Sequence, residues 1–166
     1  LGSAEAGIKV ILYKVNAIDP TDVEMLNEYY FETMHHEFAH ILHQKKNYPT
    51  EYNQISAADY SSTGWQNRTE QQAWKLGFVT PYAGMEPQED FVEVIANYLV
   101  KPDGFWENML ANAGTEGATK IQTKFDMVKE WLMTAWNIDI DELRTIIIRR
   151  SGDIDSILNE KITYNE

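Results

Sequence analysis

The stretch His35-His36-Glu37-Phe38-Ala39-His40-Ile41-Leu42-His43-Gln44 decides how this sequence is read. On a helix, residues four apart share a face, so His36 and His40 can turn both imidazoles toward one ion. Glu37 follows the first of them and can lie beside that ion, where it would accept a proton from a water attacking a carbonyl. The surroundings predict a helix. Met25, Leu26, Tyr29, Phe38, Ile41 and Leu42 recur at helical spacing, and Thr21-Asp22-Val23-Glu24 fits a capping box. Asn47-Tyr48 and Pro49 offer the first stop, so one helix is expected from Thr21 to about Lys46. Its apolar residues Phe38, Ala39, Ile41 and Leu42 should be buried, leaving the histidine face beside a cavity.

Upstream, Ile8 to Val15 partly alternates and is rich in β-branched residues, which predicts a strand. Downstream, Tyr48 to Gly64 turns polar and predicts a long loop, of a length that is often functional. A short helix is expected over Thr69 to Lys75 and another from Pro87, suited to a first helical turn, to Val100, with Pro102 as its stop. Phe105 to Ala113, Ala118 to Trp136 and Ile140 to Arg149 complete an all-helical second half, with Asp139 or Asp141 as caps. The expected fold class is α+β and predominantly helical, with a small sheet.

The chain has no cysteine, so His, Asp and Glu are its strong metal ligands. A catalytic zinc takes three protein ligands and keeps one position open. A third histidine six residues beyond His40 is ruled out, because position 46 is Lys. The best source is the acidic start of the later helix, Glu86-Pro87-Gln88-Glu89-Asp90-Phe91-Val92-Glu93, where Glu89 and Glu93 share a face. One of the two should bind Zn2+ and the other hold the free N–H of a ligand histidine.

Size and charge narrow the rest. At 166 residues, 43% of them apolar, the chain should fold as one domain over residues 1–166. A net charge of -12 excludes nucleic acid, which needs a basic stripe. No apolar run reaches the roughly 18–20 residues of a membrane span, so no transmembrane segment is expected in this chain. It begins without Met just before a strand, which fits a piece or processed form of a longer protein.

The pairing of His36-Glu37-Phe38-Ala39-His40 with Glu89-Asp90-Phe91-Val92-Glu93 about fifty residues later resembles the gluzincin class of zinc peptidases. Within it, the histidine-rich run and the downstream acidic helix are similar to the zinc-binding metallopeptidase lipoproteins of gut Bacteroidetes, which are associated with outer-membrane nutrient importers. The resemblance implies a zincin-like catalytic domain, with motif-level support over about residues 1 to 100. It implies Glu89 as the third ligand and Glu93 as the partner of a ligand histidine. Toxin members of the class carry a tyrosine seven residues before the ligand Glu. Tyr82 stands at that offset, as a candidate oxyanion donor or as an ordinary packing aromatic. Gln88 before Glu89 departs from the thermolysin-type Asn-Glu start and leaves Glu89 against Glu93 open.

The expected activity is hydrolysis of a peptide or protein substrate, held as a strand along the edge of Ile8 to Val15. The alternative is a noncatalytic zinc-binding accessory protein of a nutrient-uptake system that binds glycan or peptide. The resemblance also implies a cell-envelope location, lipid-anchored to the outer membrane or periplasmic, with importer components as partners. Other features carry less. His35 points about 100° away from His36, and His43, closer to the active face, is not needed as a ligand but is in reach of substrate or of a ligand's outer side. Asp139-Ile140-Asp141 and Asp153-Ile154-Asp155 lack calcium-loop order and read as helix caps. The tryptophans read as core at helical positions such as Trp131.

Overall fold

A computed structural model describes residues 2–19 and 21–163. Strands β1 (Gly2–Glu5) and β2 (Lys9–Leu12) form an antiparallel hairpin that pairs Gly2 with Leu12 and Glu5 with Lys9. Ala6 and Gly7 both take positive φ, 53° and 63°, as a tight turn between twisted strands requires. The strand is therefore shorter than Ile8 to Val15. Ile8 sits in the turn, 79% exposed, and left-handed Lys14 leads into a 3-10 turn at Val15–Ala17. Only residues that find a partner in β1 remain extended. The hairpin is tied down by the Gly7 N–H, which donates to Gln44 Oε1 at 2.5 Å.

The capping box expected at Thr21-Glu24 is not there. Thr21 turns its hydroxyl to Asp19 Oδ1 at 2.7 Å, and Asp22 takes the capping role by accepting the Met25 N–H at 2.9 Å. The helix opens as α1 (Val23–Met25), widens to a π turn over Leu26–Phe31, and continues as α2 (Glu32–Lys45). At the end of the wide turn the Glu32 N–H reaches back five residues to Asn27 O. The apolar spacing around Tyr29 carries no mark of this change, and π turns cluster at functional sites.

In α2 the inward face is His36, Glu37, Ala39, Leu42 and His43. Phe38, expected to be buried, is 51% exposed and Ile41 is half-buried. The polar residues 36, 40 and 43 lie toward the rest of the protein, so helical geometry sends Phe38 outward.

The expected loop at 48–64 contains a short helix, α3 (Tyr52–Ile55), with Tyr52 wholly buried, and ends in a 3-10 turn at Gly64–Asn67. A true capping box opens α4 (Glu70–Leu76): Thr69 Oγ1 accepts the Gln72 N–H and Gln72 Oε1 accepts the Thr69 N–H. Gly77 closes α4 at φ 89°, a conformation that favours glycine. A second 3-10 turn, Tyr82–Gly84, precedes α5 (Pro87–Val100), which has Pro in its first turn as expected.

Helix α5 is the centre of the molecule, buried from Asp90 to Asn97 and packed against α2. Its Phe91 stacks on Tyr48, centroids 4.3 Å apart, and meets Tyr52 and Trp131 edge-on, each at 5.1 Å. Three helices close the core: α6 (Phe105–Asn112), α7 (Gly114–Trp136) and α8 (Ile140–Thr163). Helix α7 starts four residues before the expected Ala118. Helix α8 runs past Arg149, so positions 153 and 155 lie within it and not at its start. Asp139 does cap α8, accepting the Asp141 and Glu142 N–H groups. Trp74 and Trp131 are core residues, and Trp106 and Trp136 pack against the core. Among the described residues the fold is α+β, predominantly helical with one two-stranded sheet. Among the described residues no helix is long and apolar enough to cross a membrane.

Candidate metal centre

Helix α2 presents His36 and His40 one turn apart, and the first turn of α5 brings Glu89 against both. His36 Nε2 lies 3.2 Å from His40 Nε2 and 3.1 Å from Glu89 Oε2, and the third edge, His40 Nε2 to Glu89 Oε2, is 3.4 Å. Tetrahedral ligands bound at about 2.0–2.1 Å stand ~3.3–3.4 Å apart, so this near-equilateral triangle matches one face of a zinc site. Glu89 Oε2 is buried and receives no well-formed hydrogen bond, the condition of an oxygen that faces a cation.

The local electrostatics favour positive charge. Burial opposes an imidazolium at His36, but the nearby carboxylates of Glu89 and Glu93 outweigh it and push its pKa up to about 10. Burial likewise opposes the Glu89 carboxylate, yet His36 and His40 hold its pKa well below the usual range. A proton or a metal ion answers the same demand.

Glu93, one turn along α5, stands behind the His36 ring. Its Oε1 is 2.8 Å from His36 Nδ1, the nitrogen that points away from the triangle. Its other oxygen accepts from Thr80 Oγ1 and, at 3.4 Å, from Asn97 Nδ2. The geometry thus separates the two acids: Glu89 faces the triangle and Glu93 braces a histidine. His40 has its own brace, for its Nδ1 is 2.8 Å from Nε2 of buried His43.

Glu37 is buried beside this cluster, and burial raises its pKa while His36 and His40 pull it down. Tyr82 reaches the same place from its 3-10 turn, ring centroid 6.0 Å from His36 and 5.0 Å from Trp65. Burial, then Glu89, pushes the Tyr82 hydroxyl well above its ordinary pKa, so it stays a protonated donor. A cavity of about 210 Å³ opens here, lined by His36, Glu37, Tyr82, Glu93, Gly2 and Glu32 among others. Strand β1 reaches the cavity through Gly2. Ile8 to Val15, expected to flank the substrate, does not line it.

Over residues 1–141 the sequence matches the family described as "Putative zinc-binding metallo-peptidase". The chain belongs to that family. A solved structure from Bacteroides caccae ATCC 43185, which bears the same description, is similar at 52% identity with a TM-score of 0.82. The match covers 89% of this chain and 57% of that one, so the chain spans little more than half the length of that relative. No curated protein matches.

Family and relative are described as zinc-binding, and the donor set fits zinc: two imidazole nitrogens and one carboxylate oxygen. His36, His40, Glu37, Glu89, Glu93 and Tyr82, all named from the sequence, converge on one place. His35 lies apart from the cluster, and burial lowers its pKa to about 4. Sequence reasoning placed His43 near the active face, in reach of substrate or of a ligand's outer side, without assigning it a partner; its position three residues after His40 was the usable signal. It missed Thr80, Asn97 and Gly2, whose approach depends on tertiary packing.

Proposed function

We propose that the chain is the catalytic domain of a gluzincin-type zinc metallopeptidase, with a zincin-like arrangement of active-site helix, small sheet and helical remainder. The observation that carries the reading is the His36, His40, Glu89 triangle with a buried carboxylate, Glu37, beside a cavity. A zinc ion held by His36, His40 and Glu89 would supply Lewis acidity, activating water and polarising a carbonyl. Glu37 accepts the proton of the attacking water and delivers it to the departing amine. Tyr82, a neutral phenol, donates a hydrogen bond to the oxygen on which negative charge develops. Glu93, itself held by Thr80 and Asn97, fixes the His36 ring so that Nε2 faces inward.

The substrate lies extended along the free edge of β1, where backbone groups can pair with a peptide strand. Gly2 on that strand borders the cavity beside Glu37, which supports this placement over one along β2. On the same reading residues 1–166 form one domain of a cell-envelope protein that works beside outer-membrane importer components. The support for that location is the sequence resemblance to Bacteroidetes lipoproteins.

The test is cleavage of a mixed peptide library by the zinc-loaded chain and by Glu37→Gln. The variant should keep one zinc per chain and lose about 10²–10⁴-fold in rate. Cleavage at the wild-type rate would overturn the mechanism.

A further inference from the structure

We infer that His43 is a positioning residue of the metal centre: it accepts the Nδ1 proton of His40 and thereby fixes which nitrogen of His40 faces the ion. The inference rests on the metal reading above and concerns how the second histidine is held. The geometry is direct, with His43 Nε2 2.8 Å from His40 Nδ1 and the opposite nitrogen of His40 in the triangle. Both residues lie on α2, three apart, so the helix itself sets their separation. The His43 ring is 7% exposed and meets Tyr48 edge-on at 5.7 Å, and Tyr48 is stacked on Phe91 of the core. The acceptor is therefore walled in as well as close.

Proton accounting assigns the tautomers. A histidine that ligates through Nε2 carries its proton on Nδ1, so the atom facing it must be an acceptor. His43 then offers a bare Nε2 and keeps its own proton on Nδ1, as a neutral ring in a buried position does.

The two ligand histidines are thus braced differently, His36 by a carboxylate and His40 by a neutral imidazole. Charge explains the difference. Three acids, Glu37, Glu89 and Glu93, already crowd around the two ligand histidines. A fourth carboxylate at His40 would add repulsion in a buried place, whereas an imidazole accepts the same proton with no added charge.

The experiment measures zinc affinity by chelator competition for the full chain and for His43→Ala and His43→Gln, with thermal unfolding of each metal-free protein. His43→Ala should bind zinc about 10–100-fold more weakly than wild type. His43→Gln can put an amide oxygen where Nε2 stood and should return to within roughly threefold of wild type. If metal-free His43→Ala does not fold, His43→Leu, which fills the space without an acceptor, takes its place with the same expected loss. Wild-type affinity in the variant without an acceptor would overturn the inference, as would a Gln variant that is folded yet as weak. Neither result would touch the peptidase reading, which is tested by cleavage. Failure of the wild-type chain to bind zinc would overturn both.

Discussion

Lys124 Nζ lies 2.6 Å from Asp90 Oδ2, and neither side chain is exposed at all. Tyr60 donates to the same carboxylate oxygen at 2.6 Å, and Lys124 also donates to Gly77 O at 2.7 Å. Burial pushes Asp90 up and Lys124 down, while each partner pulls the other back toward its charged form. The pair ties α7 to the first turn of α5, one residue from Glu89.

Removing one half of such a pair strands a buried charge. Lys124→Met should therefore lower stability by about 3–5 kcal/mol, read from denaturant unfolding, and the added change Asp90→Asn should recover a good part of it. A loss under ~1 kcal/mol in the single variant would mean that the pair does not hold the helices together.

The two acids of α5 should respond differently to the same substitution. Glu89→Gln should leave the protein unable to retain zinc through gel filtration. Glu93→Gln should still bind it, about 10–100-fold more weakly, because it only braces His36. Equal retention by the two variants would erase the distinction between ligand and brace.

Tyr82→Phe removes one hydroxyl and little else. With a peptide substrate, kcat should fall by about 10²–10³ with KM little changed, the pattern of a donor used in the transition state. A raised KM at unchanged kcat would make Tyr82 a wall against which substrate packs.

His35 should make stability pH-dependent. Burial lowers its folded pKa to about 4, against 6.5 when unfolded, so below pH 6.5 the unfolded chain takes up a proton that the folded chain refuses. The stabilising contribution is complete above pH 6.5 and is lost as pH falls toward 4, to a maximum of about 3 kcal/mol. With chelator present to exclude metal effects, the stability of His35→Gln should fall less steeply across that window. Parallel curves for variant and wild type would sink the assignment.

What could be read in the sequence was local. His36, Glu37 and His40 are legible because helical spacing alone brings them together, and Pro87 marks where the acidic helix starts, close enough to find Glu89. The braces were harder. Thr80 reaches Glu93 from thirteen residues away, and Lys124 reaches Asp90 across thirty-four, distances at which no periodicity speaks. The capping box illustrates the limit from the other side. Thr21-Glu24 and Thr69-Gln72 both carry suitable residue types, but Asp19 captures the first threonine and nothing competes for the second. Ile8 misled for a similar reason, since its β propensity yields to the left-handed pair Ala6-Gly7 in front of it.

The roof over Glu37 is a backbone with no side chain. A methyl group on Gly2 would stand 2.6 Å from Glu37 Cγ and 2.8 Å from its Oε1, closer than atoms tolerate. The hairpin thus acts less as a layer of the core than as a lid whose clearance is one hydrogen atom. Whatever carries β1 also carries the headroom of Glu37: moving that strand by an ångström changes the space this carboxyl group has while leaving every side chain of the cluster in place.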